Sequence, residues 1–369
     1  MQVPFVDLPR QIAPYAEELR PVIEEVIFKR ADFIMRGDLL EFEKNFAAYI
    51  GKKYAIGVAN GSDALNLCVK VLGIGPGDEV ITVSHTFIAT IAAIVHAGAT
   101  PVLVDVGNDH NINPDLIEKA ITKKTRAIIP VHLNGRTCVM DKILEIAERY
   151  NLYVIEDNAQ GVGSMFKGKK AGSFGIFSTN SFYPFKILGC YGDGGMICTD
   201  SEEYNYKLRC LRDNGQDRAK GEILFWGWNS RLDNLQAAIL NVMLKHLQEI
   251  IKKRREIASK YCEGLKDIED LVLPSPPSEN TDHFDSFQNF VVTTPKRDEF
   301  VRFLNDNGVG TLISWPVPSH FHKGLKLSHF KLPFTEKLSR EVVSLPMHPA
   351  LTDEEVEYVI KTVRTFFKK

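Results

Sequence analysis

Short apolar runs alternate with amphipathic stretches between residues 54 and 200. The apolar runs have the composition of strands: YAIGVAN, EVITV, TPVLVDV, TRAIIPVHL, YVIED, FGIFSTNSF and GGMICTD. Helical periodicity lies between them, over residues 61–72, 87–96, 114–120 and 142–150. Short β-rich runs that alternate with helices are typical of a buried, mostly parallel sheet. We therefore predict an α/β fold whose large domain holds a mostly parallel, seven-stranded type of sheet between helices.

Helical patterns also flank this region on both sides. Residues 13–28 and 39–49 precede the predicted sheet, and a long helical pattern after it runs from residue 232 to Leu265. The rest of the chain combines three prolines, a strand-like run and two helical patterns: Pro274, Pro276 and Pro277, FQNFVVTT, 297–307 and 352–367. This tail suits a smaller C-terminal α+β domain. We predict a division into 1–250 and 251–369.

The composition argues against several classes of protein. The 369 residues are 44% hydrophobic and 25% charged, and the net charge of −2 gives no reason to expect nucleic-acid or membrane binding. No run of about 18 apolar residues predicts a membrane span. The N-terminus lacks the pattern of a secretory signal, and the six cysteines show no CxxC spacing, so we expect reduced thiols in a cytoplasmic protein. We predict no metal site, because the ligand spacing is missing.

The strongest chemical signal is a carboxylate and a lysine that each follow a strand-like run. Asp157 ends VIED, and Lys186 follows 29 positions later in SFYPFK, before the glycine cluster LGCYGDGG. This pair suits pyridoxal phosphate (PLP), whose aldehyde forms a Schiff base with a lysine and whose protonated ring nitrogen pairs with a carboxylate. Apolar neighbours would lower the Lys186 pKa and free its amine. Taken singly, Asp157 could be a helix cap and Lys186 an exposed lysine beside a turn.

The segment NGSDAL follows a strand and opens a helix. A helix N-terminus offers free N–H groups and the positive end of the helix dipole, which together favour a phosphate. Gly61 lets the backbone approach a ligand closely, Ser62 can add a hydroxyl, and Ser181 lies close enough in sequence to Lys186 to do the same. The alternative is a plain helix cap without a ligand.

Four further residues have two interpretations each. Gln160 could hydrogen-bond a ring substituent or be a solvated amide, and Phe87 could lie over the ring or belong to the core. In WGWNSRLDNLQAAIL, Asn229 could cap a helix and Arg231 could form a structural ion pair. Either of these two residues could instead act at the site.

Together these segments resemble the DegT/DnrJ/EryC1/StrS family of PLP-dependent nucleotide-sugar aminotransferases, which have fold type I. The similar segments follow the family's order and cover nearly the whole chain: VPFVDL, NGSDAL, GIGPGDEVI, HTFIAT, GATPVLVDV, IIPVHLNG, VIEDNAQ, SFYPFK, GDGG, NSRLDNLQAAIL and SLPMHP. Relatives that dehydrate sugars carry histidine at the lysine position. Lys186 therefore implies transamination.

The resemblance implies a role for each candidate residue. Lys186 would hold PLP covalently and shuttle protons, while Asp157 would pair with the ring nitrogen. Phe87 would stack on the ring, and Gln160 would bond the PLP hydroxyl. Gly61, Ser62 and Ser181 would hold the phosphate. A homodimer is implied, in which Asn229 reaches the phosphate in the partner's site. His320 and Arg231 are candidate substrate contacts, although WPVPSH stands where YP-x-PLH is more typical.

The implied reaction is a ping-pong transfer from L-glutamate to a keto sugar carried on a nucleoside diphosphate. The resemblance favours C-3 amination, either of a dTDP-linked 6-deoxyhexose or of a UDP-linked acetamido uronic acid. Amination at C-4 or of a cyclitol are alternatives. Such enzymes serve cell-surface polysaccharide and antibiotic pathways. A non-catalytic PLP-binding regulator is an alternative of another class, which the presence of both Lys186 and Asp157 disfavours.

Overall fold

The computed structural model describes residues 1–278 and 281–368. Its strands, in chain order, are β1 (Tyr54–Val58), β2 (Glu79–Val83), β3 (Thr100–Val104), β4 (Thr125–Ile128), β5 (Tyr153–Asp157), β6 (Met165–Phe166), β7 (Lys169–Lys170), β8 (Phe177–Ser181), β9 (Gly195–Thr199), β10 (Gln216–Asp217), β11 (Glu222–Ile223), β12 (His283–Phe284), β13 (Phe290–Thr293) and β14 (Val342–Leu345). Its α-helices are α1 (Leu8–Ile12), α2 (Ala16–Glu24), α3 (Gly37–Ile50), α4 (Gly61–Val71), α5 (Ala89–His96), α6 (Pro114–Ala120), α7 (Met140–Tyr150), α8 (Glu202–Leu211), α9 (Asn234–Leu265), α10 (Arg297–Asp306), α11 (Pro333–Glu341) and α12 (Asp353–Phe367).

Seven of the strands form the predicted sheet, in the order β1-β9-β8-β5-β4-β2-β3. β2 pairs in parallel with β3 and β4, β4 with β5, and β5 with β8. Only β9 runs against its neighbours β1 and β8 within this sheet. The expectation of a mostly parallel sheet is confirmed. Because parallel neighbours point the same way, the residues that follow them gather along one edge.

A second apolar core lies away from the sheet and contains the β13–β14 pair. It includes residues from α10, α12 and the C-terminal part of α9, together with Val3 from the N-terminal segment. The N-terminal part of α9, up to Ile251, packs instead with α3. A division at residue 250 therefore falls inside one continuous helix of 32 residues. The two-domain division stays a prediction.

The N-terminal helical pattern over residues 13–28 forms several short helices. A 3₁₀ turn, Ala13–Tyr15, separates α1 from α2, and a π-helical turn, Glu25–Arg30, follows α2. Pro14 lies in the first turn and Pro21 inside α2. Proline lacks the N–H that the regular helix ladder needs, which accounts for the interruptions.

The sequence pattern does not predict α8, α11 or β14. Two of them nonetheless carry start signals. Ser201 caps α8 by accepting a hydrogen bond from the Tyr204 N–H, and Pro333 occupies the first position of α11. All four residues of β14 are buried, so its sequence shows none of the alternation that marks a half-exposed strand.

The helices within residues 1–278 and 281–368 include none that is both long and apolar enough to cross a bilayer. The same ranges contain no group of three or more His, Cys, Asp or Glu side chains placed to hold a metal ion. All six cysteines are free and buried.

Candidate active site

Asp157 is a buried carboxylate at the carboxyl end of β5, only 4% exposed. Its Oδ2 accepts a hydrogen bond from the Thr90 hydroxyl at 2.8 Å, and its Oδ1 accepts one from the Ala159 N–H at 3.2 Å. Burial raises the pKa of Asp157, and these hydrogen bonds and the charge of Lys186 partly offset that effect. The carboxylate is therefore fixed in direction and lies where a cationic partner would stabilise it.

Lys186 is half-buried in the loop that follows β8. The side chain of Gln288 clamps this loop: Oε1 accepts from the Ile187 N–H at 2.9 Å, and Nε2 donates to the Phe185 carbonyl at 2.8 Å. Burial lowers the pKa of Lys186 to about 8, and the charge of Asp157 opposes that shift. Roughly one-tenth of such an amine is neutral at pH 7, about two hundred times more than for an ordinary lysine.

The first turn of α4 forms a cradle beside the end of β8. Asn60 caps the helix by accepting a hydrogen bond from the Asp63 N–H at 2.8 Å. Gly61 and Ser62 follow it in the first turn, where N–H groups have no hydrogen-bond partner within the helix. A Cβ on Gly61 would lie 2.9 Å from the Ser181 Cβ. The three predicted phosphate contacts thus lie together.

A cavity of about 480 Å³ opens at Lys186. Phe87 and Gln160 line it, as predicted for residues at a cofactor ring. Phe87 is 59% exposed, so the alternative of a core residue does not hold. The Asn134 N–H donates to Gln160 Oε1 at 3.0 Å, which leaves the NH₂ end of that amide to face a ligand.

Asn229 and Arg231 lie apart from this cavity. They line another one, of about 460 Å³, together with Ala59 and Gly192. Asn229 is exposed, whereas Arg231 donates to Asp213 at 3.1 Å. Arg231 therefore forms a structural ion pair, which was the alternative to a role at the site. Within one chain, neither residue reaches Lys186.

His320 is fully buried in a 3₁₀ turn, Ser319–Phe321. Its Nδ1 lies 2.8 Å from the Ser84 hydroxyl, and its Nε2 lies 3.5 Å from Glu336 Oε1. Burial lowers its pKa, an effect that Glu336 partly offsets. His320 is absent from the residues that line the Lys186 cavity in the described part of the chain. It joins its loop to the segment after β2, which supports the position of Phe87.

Sequence reasoning missed Thr90 and Gln288. Thr90 belongs to HTFIAT and follows Phe87 by three positions, so it lies one helical turn away. A threonine at the start of a helix that faces a sheet edge was an available signal. Gln288 is 101 positions from Ile187, and its neighbourhood carries no local pattern that points to Lys186.

The site as a whole fits PLP. The amine has a lowered pKa, the carboxylate is buried and held in place, and the helix N-terminus meets a serine where a phosphate can bind. The missing Cβ at Gly61 is what allows this close approach of backbone and Ser181. On a seven-stranded, mostly parallel sheet, these features define a PLP-dependent enzyme of fold type I.

Comparisons with known proteins give the family. The model of the DegT/DnrJ/EryC1/StrS aminotransferase family matches residues 16–364, and the chain belongs to this family. The dTDP-3-amino-3,6-dideoxy-alpha-D-galactopyranose transaminase of Aneurinibacillus thermoaerophilus is 43% identical over 366 residues, 99% of either chain. A "pleiotropic regulatory protein" of Geobacillus stearothermophilus is 41% identical over 373 residues, 100% of this chain and 99% of the relative.

A solved structure agrees over the same length. The crystal structure of S. venezuelae DesV in complex with a ketimine intermediate has a TM-score of 0.95 and 39% identity, and it covers 100% of this chain and 99% of DesV. The predicted family, fold class, PLP cofactor and aminotransferase class are confirmed. The roles of individual site residues stay predictions.

We expect the cofactor-free protein to capture PLP covalently at a rate that rises with pH through about 8. Only the neutral amine of Lys186 attacks an aldehyde, and burial lowers its pKa to that value. Asp157→Asn removes the charge that raises this pKa, so the midpoint of the rate profile should move to lower pH. Stopped-flow absorbance of PLP over about pH 6–10 measures both midpoints. A parent midpoint near 10, or an upward shift in the variant, contradicts the assignment.

Gly61→Ala should weaken PLP binding by roughly tenfold, about 1.4 kcal/mol. The new Cβ lies 2.9 Å from the Ser181 Cβ, so Ser181 must leave the phosphate cradle. Gly37→Ala is the matched control, because Gly37 is also the first residue of a helix and its Cβ would meet open space. Fluorescence titration with PLP gives the affinities. Equal affinities in the two variants would remove Gly61 from the site.

Proposed function

We propose that this protein transfers the amino group of L-glutamate to the C-3 keto group of a sugar linked to a nucleoside diphosphate. The observation that carries the proposal is the half-buried Lys186, with a pKa lowered to about 8, at the cavity beside the buried carboxylate of Asp157. The relative from Aneurinibacillus supports C-3, because its name places the amino group on that carbon. The acceptor is a dTDP-linked 6-deoxyhexose or a UDP-linked 3-keto sugar.

Each residue of the site has a distinct task in this reaction. When bound, PLP would supply an electron sink for the charge left as a proton leaves the carbon next to the amino nitrogen. Lys186 would hold the cofactor covalently and then, as a free amine, move that proton. Its lowered pKa keeps the amine available as a base near neutral pH. Asp157, directed by Thr90, would keep the ring nitrogen protonated.

The remaining residues would fix the ring in one orientation. Gly61, Ser62 and Ser181 would hold its phosphate, and Phe87 would cover one face. Gln160 would donate its NH₂ to the ring hydroxyl, because the Asn134 N–H already occupies the oxygen end of the amide. A ring held at both ends keeps the reacting carbon within reach of the Lys186 amine.

The proposed enzyme is a cytoplasmic homodimer with shared active sites. Asn229 is exposed on a segment that also presents Trp226, which is 94% exposed, and Ile223, which is 75% exposed. Large apolar side chains at that exposure are typical of a surface that another chain covers. The position of Asn229 outside the Lys186 cavity of its own chain suits a contact with the partner's phosphate. The amino-sugar product would serve polysaccharide biosynthesis.

A regulatory role is the second candidate, favoured by the name of the Geobacillus relative. A regulator needs only to bind a ligand, and nothing in regulation requires an amine with a lowered pKa beside a buried carboxylate. Both groups are present here. A catalytic role therefore explains more features of the site than a regulatory role does.

Lys186→Ala should abolish turnover and leave binding of pyridoxamine phosphate intact, because it removes the covalent anchor and the base but not the phosphate cradle. The assay is formation of 2-oxoglutarate from L-glutamate with dTDP-linked and UDP-linked 3-keto sugars, with 4-keto sugars as the comparison. Lys207→Ala is the control, since Lys207 is an exposed lysine paired with Glu203 on α8. Turnover of Lys186→Ala near the parent value would contradict the role assigned to Lys186. A preference of the parent protein for 4-keto sugars would place the amination at C-4.

Mixing two inactive variants tests the shared site. Lys186→Ala and Asn229→Asp each damage every site of their own homodimer, the latter by placing a like charge beside the phosphate. In a mixed dimer one site keeps both native residues, so random mixing should restore about one-quarter of the sites. The assay is turnover after the two variants are unfolded and refolded together. No restoration would mean that Asn229 acts within its own chain or not at all.

A further inference from the structure

Three arginines are almost fully buried in the described ranges, and their partners differ. Arg212, 4% exposed, pairs with Glu43 at 2.5 Å, and Arg297, 8% exposed, pairs with Asp298 at 2.5 Å. Arg254 is 4% exposed but forms no ion pair with a carboxylate of residues 1–278 or 281–368. A buried charge without a counter-charge destabilises a fold, so it calls for an explanation.

The hydrogen bonds of Arg254 leave part of its guanidinium unused. Nη1 donates to the carbonyls of Phe287, Gln288 and Met347, at 3.1, 3.2 and 3.0 Å. Nε is buried and has no hydrogen-bond partner among the described residues. Burial lowers the pKa of Arg254 to about 10, and no neighbouring acid raises it again. The group is still charged at neutral pH, and backbone carbonyls supply only partial negative charge.

Arg254 lies at the site of the proposed chemistry. It lines the 480 Å³ cavity together with Lys186, Gln160 and His348. Burial and the charge of Arg254 lower the pKa of His348 to about 4, so this neighbour is neutral at pH 7 and does not compete for an anion. An uncompensated cation therefore lies in the wall of the cavity that would receive both substrates.

We propose that Arg254 binds a carboxylate of the amino donor. This inference rests on the proposed function, in which L-glutamate brings two carboxylates into the cavity. A guanidinium matches the geometry of a carboxylate better than an ammonium group does, and the bond is stronger away from water. The ligand supplies the counter-charge that the chain lacks. The charges of the keto-sugar substrate lie on its diphosphate, farther from the reacting carbon than the α-carboxylate of the donor. We therefore assign Arg254 to the first half of the reaction.

The arrangement also places the donor relative to Lys186. Arg254 holds the Gln288 carbonyl, and the Gln288 side chain holds the peptide groups on both sides of Lys186. One rigid unit thus carries both the anion contact and the base. A carboxylate bound at Arg254 would present the amino group of the donor at a fixed distance from Lys186.

The test measures each half-reaction of the PLP-loaded protein separately. For Arg254→Met, the L-glutamate concentration that gives the half-maximal rate should rise at least about 30-fold, in line with the loss of a charge-assisted contact. For Arg254→Lys, which keeps the charge but not the planar pair of donors, it should rise by a smaller factor, of about tenfold. The keto-sugar concentration needed in the second half-reaction should change less than about threefold, as that contact is absent there. Succinate is a dicarboxylate without an amine, so it can bind without turnover. Calorimetric titration should show that the Arg254 variants bind succinate more weakly than the parent protein does.

Arg297→Met is the matched control. Arg297 is also buried and donates to backbone carbonyls, those of Ser339 and Val342, but it lies outside the Lys186 cavity. The Arg297→Met substitution should lower the melting temperature and leave the glutamate and succinate affinities unchanged. If Arg254→Met does not fold, Arg254→Lys decides, because it keeps the charge and loses the planar donor group.

The outcomes separate this inference from the proposed function. Unchanged glutamate and succinate affinities in a folded Arg254 variant overturn the inference and assign Arg254 to structure alone. Arg254-dependent binding of succinate by a parent protein that does not react with glutamate supports the anion site and overturns the donor in the proposed function. Reaction with glutamate that does not depend on Arg254 supports the donor of the proposed function and overturns the inference about Arg254.

Discussion

The common direction of β2, β4, β5 and β8 is the constraint on which the site depends. Each strand delivers its following segment to the same edge, so Phe87 and Lys186 line one cavity and Asp157 lies close enough to interact with the charge of Lys186, although the three are distant in sequence. Asp157 lies directly opposite Thr179 in the β5–β8 register. A slip of one residue between these strands would turn the carboxylate to the other face of the sheet. The chemistry therefore requires this register as much as it requires the residues.

The second constraint is the pair of hydrogen bonds by which the Gln288 side chain holds the lysine loop. The loop after β8 has little regular structure, and the peptide groups on either side of Lys186 find their hydrogen-bond partner outside the loop. Gln288 supplies that partner from a segment next to β13, and Arg254 fixes the Gln288 backbone. A side chain from outside the sheet thus positions the residue that the sheet brings to its edge.

The sheet, most helices and the pairing of Asp157 with Lys186 could be predicted because their signals are local. Apolar runs, caps and the SFYPFK turn lie within short windows of sequence. Gln288 and Arg254 could not be assigned in this way, because Gln288 holds a loop 101 positions away and Arg254 is distinguished by a guanidinium nitrogen without a partner among the described residues. The same reason explains Arg231: its ion pair with Asp213 is decided by the fold of the segment between them.

Helix α9 has 32 residues and is therefore about 48 Å long, which is enough to span a small protein. Its apolar stripe is shared between the two cores, with Leu247 and Ile251 on one side and Ile257 and Tyr261 on the other. Loss of either core would leave half of this stripe in water, so neither part can melt without weakening the other. The shared helix therefore couples the stability of the two apolar clusters that it joins.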